Sequence, residues 1–311
     1  MSTKILITGG AGFIGSHLAD ELKVQGYEVH ILDNLSVGKR QNIPKGATLH
    51  EIDIRDKQKV EKLFAQHKFP VVYHEAAQMS IRGSVKDPLN DSDINVRGLI
   101  TLMESGRQHG LEKVIFASSG GAIYGNPLRI PQEEDHPVKP ISPYGISKLT
   151  CEEYLRFYWE TYKIAYVSLR YANVYGPRQN PDSGAAVIAI FMKKLLTGKQ
   201  PVINGAGTNT RDFVYISDVV AANLHALDYH GIGPFNIGMG RETDVNTIFK
   251  LISKICQVDI PEIHGPEIAG DQQRSVLDNS RANKILGWEP CISLEKGLYE
   301  TYKWYTNNMM Y

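Results

Sequence analysis

The sequence has no net charge, little cysteine and no long apolar run, and each lack removes a class of function. Lys plus Arg and Asp plus Glu number 34 each in 311 residues, so no overall field draws the chain to nucleic acid or to an anionic membrane. A charged ligand therefore needs a local site. The three cysteines, Cys151, Cys256 and Cys291, form no CxxC pair and are too scattered for a disulfide framework; they read as thiols in a reducing compartment. The longest apolar run, Ala185 to Phe191 with Met192 directly after it, falls far short of the roughly 20 residues a membrane-spanning helix needs. Met1-Ser2-Thr3-Lys4 passes at once into a short apolar stretch and then glycines, which leaves no room for the core of a secretory signal. A cytoplasmic protein is expected. Metal ligation has little support: His74-Glu75-Ala76-Ala77-Gln78 opens like HExxH, but Gln78 stands where the second histidine belongs, and no other histidine pair has ligand spacing. No metal is expected.

What is present is an alternation of short apolar runs and helical patterns. Lys4–Thr8, Glu28–Leu32, Val71–His74, Lys113–Ala117 and Tyr166–Arg170 read as strands, with helices predicted over 16–25, 56–67 and 93–109. Such alternation implies an α/β fold with a doubly wound parallel sheet. After Arg170 the pattern gives way to a loop, Gly176-Pro177-Arg178-Gln179-Asn180-Pro181, and to shorter mixed elements. The expectation is a Rossmann domain over 1–172, with a segment near 211–238 returning to it, and a smaller substrate-binding lobe over 173–311.

The glycine trio Gly9, Gly12 and Gly15 falls between the first strand and first helix. Backbone amides and the helix dipole can hold a pyrophosphate there, with Phe13 and Ile14 opening the helix beside it. Asp33 closes the second strand, followed by Asn34. A carboxylate in that place accepts hydrogen bonds from the adenosine ribose hydroxyls and repels a 2′-phosphate, which favours NAD over NADP. Asp53 and Ile54, after a third short strand, are placed to meet the adenine ring, the carboxylate toward its amino group and the apolar side chain against its face.

Ser142-Pro143-Tyr144-Gly145-Ile146-Ser147-Lys148 sets Tyr144 and Lys148 four apart, on one face of a helix that starts after Pro143. A cation at that distance favours the phenolate, so the tyrosine can serve as a base below its ordinary value near 10. Ala117-Ser118-Ser119-Gly120-Gly121-Ala122-Ile123-Tyr124 ends a strand upstream of it. With the glycine turn, these motifs resemble the extended short-chain dehydrogenase/reductases, and among them the UDP-glucose 4-epimerases, over Lys4 to Trp288-Glu289-Pro290.

The resemblance implies a catalytic set of Ser119, Tyr144 and Lys148, with Ser118 as the alternative serine. It implies cofactor contacts from Gly9, Gly12, Gly15, Asp33, Asp53, Ile54, Ala76, Ala77, Asn95, Tyr144 and Lys148. It also implies tightly held NAD, and inversion of a hydroxyl on a UDP-sugar by transient oxidation and hydride return. Substrate contacts are implied for Ser119, for Asn173 in Arg170-Tyr171-Ala172-Asn173-Val174-Tyr175, for Arg211 in Thr210-Arg211-Asp212-Phe213, and for Asp271 and Ser275. A homodimer follows from the same likeness, through the helix carrying Tyr144 and the one near 95–109, with Leu102, Leu149 and Leu155 as candidates for the shared face.

Two departures bear on substrate. Relatives carry Arg where this chain has Ile268, before Gly270-Asp271; Arg178 or Arg274 are the candidates to replace it. Relatives restricted to unmodified hexoses carry a bulky Tyr where this chain has Ser275, so room for a 2-acetamido group is expected. Gly120-Gly121-Ala122 offers no acidic side chain of the kind that nucleotide-sugar dehydratases and decarboxylases need after this strand. The competing readings are a nucleotide-sugar reductase and, from another class, a non-catalytic NAD-binding sensor.

Overall fold

The computed structural model describes residues 3–183, 186–267 and 272–308. The first half runs β1 (Lys4–Thr8), α1 (Phe13–Val24), β2 (Glu28–Asp33), β3 (Thr48–Glu51), α2 (Lys57–His67), β4 (Val71–His74), α3 (Ile81–Lys86), α4 (Pro88–Ser92), α5 (Gly98–Arg107), β5 (Lys113–Ser119), α6 (Gly120–Tyr124) and α7 (Pro143–Tyr162). The second runs β6 (Ala165–Tyr171), β7 (Asn173–Tyr175), α8 (Val187–Leu196), β8 (Ile203–Asn204), β9 (Thr210–Tyr215), α9 (Ile216–Asp228), β10 (Gly233–Ile237), β11 (Glu242–Asp244), α10 (Val245–Cys256), β12 (His264–Gly265) and α11 (Leu294–Asn308).

Seven strands form one parallel sheet in the order β10-β6-β5-β4-β1-β2-β3. The strands are apolar almost throughout because helices cover both faces. Ile5 and Ile7 of β1 point into the core on one side, with α1 and α9, while Leu6 between them joins the core under α2, α5 and α7. Strand order reverses between β1 and β4, and at such a switch point the loops beyond the strand ends diverge to leave a crevice.

The helix starts are written locally. Asp56 accepts from the Lys59 amide at 3.2 Å to cap α2. Ser142 accepts from the Gly145 amide at 3.2 Å, with Pro143 in the first turn of α7, where its missing N–H costs nothing. The helix predicted over 93–109 is divided: a π-helical turn at Asp93–Arg97 precedes α5.

The second lobe holds a small sheet, β11-β9-β7, and a two-stranded pair, β12-β8. β6 ends at Tyr171 and β7 begins at Asn173, so the chain leaves the large sheet at residue 172. β9 stays with the small sheet; α9 and β10 are the elements that return. Among the described residues, no helix is long and apolar enough to cross a membrane.

Two residues expected on an intersubunit face are instead in the core. Leu102 and Leu155 are fully buried with Leu99, Met103 and Cys151, because the strongest apolar stripes of α5 and α7 face the sheet. Leu149 is partly exposed.

Candidate active site

The glycine turn is shaped by a close approach of two backbones. Gly9 lies at φ +69°, and a Cβ there would stand 2.7 Å from the Ala76 nitrogen; one on Gly15 would stand 2.4 Å from the Gly9 carbonyl oxygen. Only glycine satisfies both positions. α1 then begins at Phe13 with Gly12 as its cap and no side-chain hydrogen bond there, so its first amides are not taken by a capping side chain, as an anion site requires. Phe13 and Ile14 pack partly buried against the core below.

Asp33 is buried and holds this turn together. Its two oxygens accept from the Ala11 amide at 3.0 Å and the Leu35 amide at 2.8 Å, and each retains lone-pair capacity for a further donor. Asn34 donates to Asp53 at 3.0 Å, and Arg55 grips Asp53 at 2.8 and 2.9 Å. The guanidinium holds the Asp53 carboxyl well below the usual range. Ile54 is buried against Gly98, where a Cβ would lie 2.9 Å from its Cγ2. The Ala76 amide donates to the Thr8 hydroxyl at 3.2 Å, bringing the Ala76-Ala77 loop beside the glycine turn.

Asn95, expected to meet the cofactor, spends its amide on the protein. It accepts from the Gln78 amide at 2.9 Å and donates to the Gln78 carbonyl at 3.0 Å and to Asp91 at 3.2 Å. Asp91 also accepts from Gln78 and Ser147, each at 2.7 Å. This knot fastens the loop after β4 to α7.

Tyr144 and Lys148 stand one turn apart on α7, at the end of β5. The Lys148 ammonium is buried, donates to the Ala117 carbonyl at 2.7 Å and lies 5.8 Å from the centre of the Tyr144 ring. The phenolate expected from that neighbour is opposed by burial, which pushes the Tyr144 phenol up, while a hydrogen bond with Ser119 pulls it down. Burial lowers Lys148 as well. The reason is common to both: a dry pocket disfavours either charged form.

The two serines are separated by their partners. Ser118 is buried and donates to Glu152 at 2.6 Å; Ser119 is the one beside Tyr144. Sequence reading missed Glu75, whose carboxyl lies close enough to Tyr144 and Lys148 to perturb both and is itself pushed up to about 7 by burial. Its signal in the sequence is a charged residue directly after a buried strand, within the His74–Gln78 stretch that opens like a metal motif.

In the second lobe, Asn173 on β7 and Arg211 on β9 lie on neighbouring strands. Arg211 donates to the Thr210 carbonyl at 2.8 Å. Ser275 is buried, and its Oγ would lie 3.4 Å from a Cβ on Gly121; it therefore faces the strand end that carries Ser119. Arg178 pairs with Asp20 at 2.7 Å and Arg274 with Glu242. Ile268 and Asp271 lie outside the described residues.

A glycine turn at the switch point of a doubly wound sheet, with a tyrosine and a lysine one helical turn apart at the adjoining strand end, defines a dinucleotide-dependent α/β enzyme. The chain belongs to the NAD dependent epimerase/dehydratase family, whose model matches residues 5–238. It is similar to a UDP-glucose 4-epimerase from Thermotoga maritima solved with UDP-glucose, at 44% identity and TM-score 0.97 over 99% of this chain and 100% of that one. It is also similar to the Thermus thermophilus UDP-glucose 4-epimerase in complex with NAD, at 40% identity and TM-score 0.94 over 98% and 100%. A UDP-N-acetylglucosamine 4-epimerase from Methanobrevibacter ruminantium, in complex with UDP-N-acetylmuramic acid, matches at 36% identity and TM-score 0.93 over 99% of each chain.

Proposed function

We propose that the protein is an NAD-dependent 4-epimerase of UDP-sugars, acting on UDP-glucose and UDP-galactose and accepting the corresponding N-acetylhexosamine nucleotides. One observation carries the reading: Ser119, Tyr144 and Lys148 meet at the end of β5 next to the glycine turn, and the residues that follow, Gly120, Gly121 and Ala122, bring no acid for elimination or decarboxylation. Similarity to epimerases named for UDP-glucose and for UDP-N-acetylglucosamine supports it.

The residues fit NAD: the start of α1 has no side-chain cap, and Asp33 sits at the end of β2 as a ribose acceptor. Gly9, Gly12, Phe13, Ile14 and Gly15 would hold the pyrophosphate, Asp33 and Asn34 the adenosine ribose, Asp53 and Ile54 the adenine. Ala76, Ala77, Tyr144 and Lys148 would line the nicotinamide end, with Asn95 positioning that loop. When bound, NAD supplies a hydride acceptor that gives the hydride back within the same turnover. Tyr144 takes the proton from the sugar C4 hydroxyl and returns it, Ser119 hydrogen-bonds the reacting oxygen, and the Lys148 cation stabilises the phenolate. Asn173 and Arg211 would bind the nucleotide diphosphate from the second lobe, with Asp271 a further substrate contact; we place that lobe at 173–311 apart from the returning α9 and β10.

The test is incubation of the purified protein, without added cofactor, with UDP-glucose and separately with UDP-N-acetylglucosamine, resolving each 4-epimer by chromatography. Epimer formation with retained NAD is expected in both. No epimer in either reaction, even with NAD+ supplied, would remove the proposal.

A further inference from the structure

Three histidines that are remote in sequence meet at the outer edge of the large sheet. His30 comes from β2, His50 from β3 and His67 from the last turn of α2. One ring nitrogen from each lies within 4.8 Å of the other two. His30 Nδ1 is 2.9 Å from His50 Nε2, and the ring centres are 4.7 to 5.2 Å apart.

The chemistry of this cluster is that of a ligand set. His30 Nε2 lies 3.0 Å from the Glu28 carboxylate, which can only accept, so Nε2 carries the proton and donates to it. In the neutral ring this leaves Nδ1 as a lone pair, 2.9 Å from His50 Nε2. A carboxylate on the far nitrogen of a ligating histidine fixes its tautomer and raises its basicity. Phe69 packs against His30 and His67 from the protein side.

We propose that His30, His50 and His67 form a binding site for a divalent transition-metal ion of the zinc type, outside the catalytic crevice. Three imidazoles suit Zn2+, Co2+, Ni2+ or Cu2+, and water completes the shell. Tetrahedral ligation puts ligand nitrogens about 3.4 Å apart, within reach of small rotations of His50 and His67, both partly exposed. The ion would clip β2, β3 and the end of α2 together. β2 ends in Asp33 and β3 leads into Asp53 and Ile54, so the clip steadies the elements from which both loops start. It adds no step to epimerisation.

The test titrates untagged, chelator-stripped protein with Co2+ and follows visible absorption, then repeats with Zn2+ by calorimetry and thermal melting. One ion per chain is expected, with nitrogen-type bands and no thiolate charge transfer. A melting temperature higher by roughly 4 °C is expected when free Zn2+ reaches 100 times its Kd. His50→Asn with His67→Asn should weaken binding at least tenfold while circular dichroism and epimerase activity persist; the exposed His230→Asn should change nothing. Stoichiometric binding that survives the double substitution, or no binding of Co2+ and Zn2+ at micromolar concentration, would overturn the site.

Discussion

Ser275 and Glu75 are single side chains with opposite consequences. Ser275 lies buried across from Gly121, in a place where added bulk would project toward the strand end that carries Ser119. Ser275→Tyr is expected to reduce kcat/KM for UDP-N-acetylglucosamine at least 100-fold while changing that for UDP-glucose less than fivefold, since filling a pocket excludes the larger substrate by steric overlap. Equal losses on both sugars would show that Ser275 does not face the 2-position. Glu75 is raised from 4.5 to about 7 by burial. The unfolded chain gives up that proton near 4.5, so between there and about 7 the native state holds more protons and stability falls as pH rises; above 7 the full penalty remains. Glu75→Gln should therefore raise the melting temperature at pH 8 and scarcely alter it at pH 4.5, with a gain of at most roughly 3 kcal/mol. Wild type and variant melting in parallel across that range would refute it. Of these two residues, Ser275 was legible because a missing side chain stands out within a resembled motif. Glu75 was not, because its shift comes from burial in the folded site, which no local spacing reveals.

At the scale of elements, α7 joins the site to the core through a second layer of charge. Glu152, two turns beyond Tyr144, meets Arg170 of β6 at 2.6 and 3.0 Å, with side-chain exposures of 8% and 6%. Ser118 donates to the same carboxylate, and Arg170 reaches the Tyr124 hydroxyl at 2.8 Å. Tyr124 then donates to Asn236 of β10 at 2.8 Å. Removing one partner of a buried pair leaves the other charged and dry, at a cost of about 3–5 kcal/mol. Glu152→Ala is thus expected to lower the melting temperature by roughly 5–8 °C, and Glu152→Leu with Arg170→Met should recover much of it. A double variant no better than Glu152→Ala would mean that the pair's packing, and not its charge, matters. The apolar strands and the helix starts at Asp56 and Ser142 were readable because each is a local pattern. The Glu152–Arg170 network and the histidine trio were hidden by distance: His30, His50 and His67 are spaced by 20 and 17 residues and meet only once β2, β3 and α2 are packed.

For the whole molecule, the question left by the burial of Leu102 and Leu155 is what covers the outside of α7. That helix buries one side against the sheet, yet Ile146 and Phe157 remain 53% and 45% exposed. They lie 11 residues apart, about three turns, so they project from nearly the same side. Phe157 also packs edge-on against Tyr158 and Tyr162, which extends the apolar surface toward the end of the helix. Apolar side chains aligned along a helix whose other side is already packed are the usual raw material of an isologous two-fold contact. We therefore expect a homodimer in which α7 meets its copy through Ile146 and Phe157, with α5 alongside. Sedimentation at micromolar concentration should give twice the chain mass, and Phe157→Glu should give one chain mass with unchanged circular dichroism, because two like charges would be forced together at the axis. A wild-type monomer at that concentration, or a Phe157→Glu variant that still sediments as a dimer, would place the assembly surface elsewhere and leave these residues as ordinary exposed side chains.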